Sequence, residues 1–258
     1  MIINETSGSN TSWEEGIKPE LSFWENWFKT KGDRWPEDFE HRLNKNLVLD
    51  AWIETHFTGK SHIKILDVII KMLDALKAYF LGKSHIKILD VGAGPLTVLG
   101  KIPQNKNKFL EIIPIDPLAE EYEKIMQKYD IQPVIKTKKG SVERLTEIFK
   151  KNEFDIVFMQ NALDHSCDPL KGLMEMLTVC KKRGYIILIH SLREGLKEHY
   201  QGFHKWNLDI KDNDFIIWNE KGHCINVSQL LKDDCEINIK SNNKTDSLVV
   251  TLQKKNRS

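Results

Sequence analysis

The chain has 258 residues, with 38 lysines and arginines against 37 aspartates and glutamates, for a formal net charge of +1. That length suits one α/β domain with additions, and the balanced charge lacks the basic excess that phosphate-driven nucleic-acid binding needs. No apolar run nears the ~20 residues that cross a bilayer and residues 1–12 carry no basic-then-apolar leader, so a cytoplasmic protein without a membrane partner is expected.

Residues 1–12, rich in Asn, Ser, Thr and Gly, read as disordered. Five of the seven tryptophans (Trp13, Trp24, Trp27, Trp35 and Trp52) fall within residues 13–58, which sets this stretch apart from the rest of the chain. Leu21, Phe23, Trp24, Trp27 and Phe28 recur at helical spacing and predict a helix over 20–31, ended by Gly32. Pro36 can open a second helix over 37–42. These aromatics either dock a helical arm onto the domain or cap a substrate pocket. In the second reading Arg34, Trp35 and Arg42 meet an anionic acceptor.

Residues 59–68 recur letter for letter at 82–91, a shift of 23 residues. One repeat is too few for a solenoid, so it reads as a duplicated segment. The first copy runs into a stretch in which Leu66, Ile69, Ile70, Leu73, Leu76 and Phe80 line one helical face. The second runs into Gly92-Ala93-Gly94. The same ten residues are therefore expected to be helical in the first copy and a strand in the second, context overriding local propensity. Residues 13–81 are assigned to an N-terminal helical cap and 82–258 to the main domain.

Ile88-Leu89-Asp90-Val91 suits a buried strand, and two glycines then permit positive φ and a close ligand. Asp116, 22 residues past Gly94, closes a second strand over 109–115. A carboxylate at that place can accept both hydroxyls of a ribose. A short helix over 97–101 is expected between them. Further on the pattern predicts a helix over 117–129, a strand over 131–137, a helix ending near 152 and a strand over 154–159. A helix over 169–181, with Leu170, Leu173, Met174 and Leu177 inward, and a strand over 185–189 follow. Short strands at 215–219 and 224–227, a helix over 227–231 and an antiparallel pair at 236–239 and 248–252 complete the chain. The β-α alternation predicts an α/β fold: a doubly wound, Rossmann-like, mostly parallel seven-stranded sheet with a terminal antiparallel strand.

A dinucleotide site usually needs a third glycine, and Thr97 stands in its place. Residues 84–192 resemble the class I S-adenosylmethionine (SAM) dependent methyltransferases, through residues 88–94, 114–117, 140–145 and 154–169. A narrower pattern comprises Phe23-Trp24-x-x-Trp27, Thr30-Lys31-Gly32-x-Arg34-Trp35-Pro36, Asn161-Ala162-Leu163-Asp164-His165-Ser166 and His204-x-Trp206-Asn207. It looks like a bacterial subfamily associated with surface-polysaccharide modification, into which the duplicated 59–81 segment is an insertion. The resemblance implies SAM as cofactor, leaving as S-adenosylhomocysteine. It implies that Gly92, Ala93 and Gly94 turn under the methionine part, and that Asp90 supports the turn or reaches the amino group. Asp116 would hold the ribose, Pro117 and Leu118 border the adenine, and Ser141 and Val142 meet the adenine edge. Gln160 and Asn161 would face the amino group or the sulfonium. Ser141 departs from the acid often found at its position.

SAM carries its own electrophile, so the protein's task is mainly alignment. A hydroxyl acceptor must also lose a proton, for which histidine suits near neutral pH. His165 and His204 are the base candidates. His190 and Glu194 stand behind them, and Trp206 and Asn207 are placed to stack on and hydrogen-bond a substrate. The expected reaction is O-methylation of a small acceptor, such as a nucleotide-linked or capsule sugar or a phosphoramidate-type group. A nucleic-acid base methylase would carry Asp/Asn-Pro-Pro-aromatic after the fourth strand, where this chain has Gln160-Asn161-Ala162-Leu163. A non-catalytic SAM-binding module is the remaining alternative. The four cysteines show no CxxC spacing, so no metal is expected, and the oligomeric state is left open.

Overall fold

The computed structural model describes residues 9–33, 35–43, 85–99, 109–242 and 246–256. The first copy of the duplicated segment and Arg34 lie outside them. Helices α1 (Ser9–Lys29) and α2 (Pro36–Leu43) precede β1 (His85–Val91), β2 (Phe109–Asp116), α3 (Ala119–Lys128) and β3 (Lys138–Lys139). Then come α4 (Leu145–Ile148), β4 (Phe154–Gln160), α5 (Pro169–Val179), β5 (Cys180–Ser191) and α6 (Glu194–Lys197). The chain closes with β6 (Trp206–Lys211), β7 (Asp214–Asn219), β8 (Cys224–Asn226), α7 (Val227–Leu231), β9 (Cys235–Asn242) and β10 (Ser247–Lys254).

The second copy of the repeat supplies the central strand. Ile86, Ile88, Leu89 and Val91 of β1 are all buried, as both faces of an inner parallel strand require. Leu89 sits beside Ile113 of β2 on one side and Val157 of β4 on the other, both pairings parallel. The seven strands run in the order β3-β2-β1-β4-β5-β10-β9, with β10 antiparallel to both of its neighbours. This is the expected doubly wound, mostly parallel fold. Its strand order reverses between β1 and β4, so a crevice opens at the carboxyl ends of those two strands. There the Gly92 turn and the 161–166 segment emerge.

Several expected elements are corrected. Helix α1 begins at Ser9, so residues 9–12 are helical and the helix is longer than 20–31. Pro19 lies inside it and costs one backbone hydrogen bond. Burial of Trp27 and Phe28, with Phe39 of α2, offsets that, at roughly 1.5–3 kcal/mol for each large apolar side chain. No strand forms over 131–137, where Pro133 cannot donate to a ladder; the third strand is the two-residue edge strand Lys138–Lys139 just beyond it. Residues 97–99 turn without forming a helix, because the Thr97 hydroxyl takes the Leu99 N–H for itself. In α5 Met174 is 45% exposed and Met176 is buried in its stead. Strand β6 had no counterpart in the sequence reading; it pairs with β7, and β7 with β8, in a small antiparallel sheet.

Candidate functional site

Gly92 and Gly94 take φ of +66° and +62°, values that glycine adopts without the steric cost of a Cβ. A Cβ on Gly92 would lie 2.4 Å from the Ala162 Cβ, so the turn is pressed directly against the segment that follows β4. A Cβ on Gly94 would lie 3.0 Å from Trp24 Cζ2, so an indole from α1 covers the turn. The Ala93 N–H donates to the Ile115 carbonyl and ties β1 to the end of β2. Asp116 accepts the Gly94 N–H at 3.0 Å on one oxygen and the Leu118 N–H at 2.9 Å on the other. A carboxylate offers about four acceptor sites, so two remain for the two hydroxyls of a ribose. Thr97, in place of a third glycine, donates its hydroxyl to Asp90, and the buried Thr137 hydroxyl donates to the Gly94 carbonyl. Burial raises both Asp90 and Asp116 from the usual carboxylate range to about 7.

The rest of the predicted cofactor set divides. Leu118 is buried, and Pro117 borders the same turn. Ser141 is paired with Glu143, which also accepts the Cys167 N–H. The Val142 side chain is buried in the core and packs closely on Gly172 of α5. Asn161 has a positive φ and accepts the Ser191 N–H. Gln160 lies at the end of β4.

Beyond Ala162 the structure gathers groups that are far apart in sequence. Asp164 is fully buried, and its Oδ2 lies 2.8 Å from His204 Nδ1 and 3.5 Å from His165 Nε2. The two ring nitrogens are 3.1 Å apart. Burial raises Asp164, but His165, His204 and His190 outweigh it and hold the carboxyl below its usual range. Burial lowers His204, and Asp164, Glu194 and Glu198 more than offset this, so the imidazole titrates above an ordinary histidine. His190, at the end of β5, is buried and pushed down to about 4, so it is neutral at pH 7. Its Nε2 and the Glu194 Oε2 are buried without hydrogen-bond partners among the described residues.

Residues 89–188 match the model of the methyltransferase domain family, described as "Methyltransferase domain". The match spans the glycine turn, Asp116 and the segment after β4. Residues 89–188 are thus a methyltransferase domain. The cofactor is SAM. No curated protein matches in sequence. Among solved structures the methyltransferase is similar to the CurJ carbon methyltransferase, at 13% identity and a TM-score of 0.49, over 70% of this chain and 52% of that one. It thus spans about half of the CurJ chain. It is also similar to a SAM-dependent methyltransferase from Aquifex aeolicus (17%, TM-score 0.41, 69% and 88% covered). A possible histamine N-methyltransferase from Thermotoga maritima gives 18%, a TM-score of 0.43, and 79% and 98% covered.

Several polar groups assigned to the acceptor are engaged within the protein. Arg42 is 11% exposed: its guanidinium donates to Asp38 and to the Leu96 carbonyl and lies over Trp24 and Trp27. Asn207 is fully buried and accepts the Leu196 N–H while donating to Tyr200, so it holds α6 against β6. Trp206 is half-buried at the start of β6, and Trp35 is exposed before α2. The sequence reading missed Asp164 as the centre of the histidines, and Glu20, which accepts from Trp24 Nε1 and Tyr122 at the cofactor turn. Asp164 beside His165 was a usable signal; Glu20 lies too far from the turn in sequence to give one. Gly16 was also missed: it lets α1 close onto Phe203, whose ring lies against His165.

Proposed function

We propose that the methyltransferase moves the SAM methyl group to a hydroxyl oxygen of a small acceptor of the kind found in surface-polysaccharide precursors. The Asp164–His165–His204 cluster receives the acceptor hydroxyl and removes its proton. The observation that carries this reading is the position of the cluster. Gly92, under the methionine part of SAM, touches Ala162, and Asp164 follows two residues later. A carboxylate only accepts, so the His204 Nδ1 that faces Asp164 carries a hydrogen. The acceptor oxygen forms the O–CH3 bond, the S–CH3 electron pair returns to sulfur, and S-adenosylhomocysteine leaves.

The tryptophan-rich segment is read as a cap within residues 13–81, and Trp24 on the Gly94 turn supports it. An anionic substituent on the acceptor would meet Arg34; Arg42 is committed to Asp38. Action on such precursors would take place in the cytoplasm; separately, no described helix is long and apolar enough to cross a membrane. The test is S-adenosylhomocysteine release with a panel of phosphorylated and nucleotide-linked sugars. His204→Gln is expected to cut kcat by about 10²–10⁴, the range of general-base catalysis, with SAM affinity unchanged. Near-wild-type turnover in both His204→Gln and His165→Gln would remove the cluster from the chemistry.

A further inference from the structure

We infer that Asp164, His165 and His204 form a binding site for one divalent transition-metal ion, a use of these groups that the cysteine-based expectation of no metal did not consider. The three donor atoms are Asp164 Oδ2, His165 Nε2 and His204 Nδ1, with separations of 2.8, 3.1 and 3.5 Å. Tetrahedral zinc with bonds of ~2.0–2.1 Å sets its ligand atoms about 3.3 Å apart. The triangle therefore closes around a cation of that size with sub-ångström adjustments.

The triangle is also hard to satisfy with protons. A ring nitrogen has one in-plane site, which holds either a hydrogen or a lone pair. His204 Nδ1 has two neighbours for that one site, Asp164 and His165. A single hydrogen serves one of them well, whereas a central cation accepts a lone pair from all three atoms. The surroundings point the same way. Two further buried polar atoms are without partners among the described residues, His190 Nε2 and Glu194 Oε2. Asp164 and His190 are close enough to feel each other's charge, and His204 feels that of Glu194. Three protein donors with polar groups beyond them match a catalytic site that keeps a position open, not a closed structural one. Two imidazoles and a carboxylate favour ions from manganese to zinc over magnesium, which prefers oxygen ligands.

The role of the ion rests on the reading of this cluster as the acceptor's place; the site itself does not. An acceptor hydroxyl entering the open position is polarised by the cation and loses its proton to water more readily. The oxygen lone pair then forms the O–CH3 bond, the S–CH3 pair returns to sulfur, and charge is balanced by the released proton. Two atoms that the metal-free protein shares around one hydrogen become ligands, so no imidazole base is needed while the ion is bound.

The test uses the full, tag-free chain stripped with a chelator. Calorimetric titration with Zn²⁺ is expected to show one equivalent bound, and with Mg²⁺ at the same concentrations none. The double variant His165→Ala/His204→Gln is expected to lose that equivalent while still binding SAM, which reports an intact fold. Wild-type and double variant binding Zn²⁺ equally, or neither binding it, would overturn the site. A second arm measures methyl transfer by the stripped enzyme. Restoration of turnover by Zn²⁺ or Mn²⁺ supports the role in activation, and full turnover in excess chelator overturns it. Binding without any turnover on any acceptor leaves the metal site standing and counts against the proposed reaction instead.

Discussion

The two halves of the crevice are built in opposite ways. On the cofactor side, Gly92, Gly94, Asp90, Thr97 and Asp116 come from two short stretches, and their polar groups are satisfied locally. Asp116 takes two backbone N–H groups, and Asp90 takes the Thr97 hydroxyl. On the side proposed for the acceptor, Asp164, His165, His190, Glu194 and His204 come from the ends of two strands and from the segments that follow them up to β6. Three of their atoms crowd one another, and two have no partner among the described residues. A half that is complete in itself is preorganised for a ligand common to many enzymes. A half with unsatisfied groups is waiting for something specific, and its chemistry is where one methyltransferase differs from another.

The contact between the halves is Gly92 against Ala162, and Gly92→Ala is expected to do the most damage. An alanine at φ +66° costs roughly 1–2 kcal/mol, and its Cβ would fall 2.4 Å from the Ala162 Cβ. Ala162 must move, and the segment carrying Asp164 and His165 with it. Calorimetry is expected to show SAM affinity reduced by about 100-fold or more, with turnover falling further because both halves are disturbed. Gly222→Ala is the control. Gly222 has φ +80° but no atoms within 4 Å of the added Cβ, so it should carry the backbone cost alone and leave SAM affinity intact. Equal SAM affinities for the two variants would mean that the halves are not coupled through this contact.

The next effect is confined to the cofactor side and depends on pH. Burial, as the largest cause, lifts Asp116 from 3.8 to about 7 in the SAM-free protein. Because the folded value lies above the unfolded one, the stability from this group is complete at acid pH and is lost as pH rises toward and through 7. SAM acts in the other direction: ribose hydroxyls donate to the ionised carboxylate and favour it. SAM affinity is therefore expected to rise between pH 6 and 8, by no more than about tenfold per pH unit for one proton. Asp116→Asn should weaken binding at pH 8 and flatten this slope. Any slope that survives belongs to Asp90, which is raised to the same value. A steep slope unchanged in the variant would take Asp116 out of ribose recognition.

The same contrast explains what could be read in advance. The parallel strands, the glycine turn and Asp116 were legible because short, nearly continuous apolar runs and a contiguous motif are local patterns. Of the two copies of the ten-residue repeat, the one that runs into Gly92 forms the expected strand, β1, and the other lies outside the described residues. Strand β6 was missed because Trp206, Asn207 and Leu208 do not alternate cleanly, and its partner β7 supplies the order. The role of Asp164 was hidden because its value lies in what reaches it from 40 residues away, His204. Asn207 and Arg42 were given to the substrate on residue type alone, and burial reassigns their polar groups to the fold.

Arg42 sharpens that last point with the smallest effect. Its guanidinium pairs with Asp38 at 2.8 Å, donates to the Leu96 carbonyl at 2.7 Å and lies 5.6 and 5.9 Å from the Trp24 and Trp27 ring centres. It therefore ties α2 to both α1 and the loop after the glycine turn. Lysine keeps the charge but has neither the planar fork nor the stacking face. Arg42→Lys is expected to lower stability by about 1–2 kcal/mol, the scale of a charge-assisted hydrogen bond with partial cation–π loss, visible as a lower Tm. The acceptor KM should not move. The opposite outcome, an unchanged Tm with a raised acceptor KM, would return Arg42 to the acceptor side. The cap would then belong to both halves of the crevice, and the division between a self-contained cofactor half and an assembled acceptor half would have to be redrawn at α2.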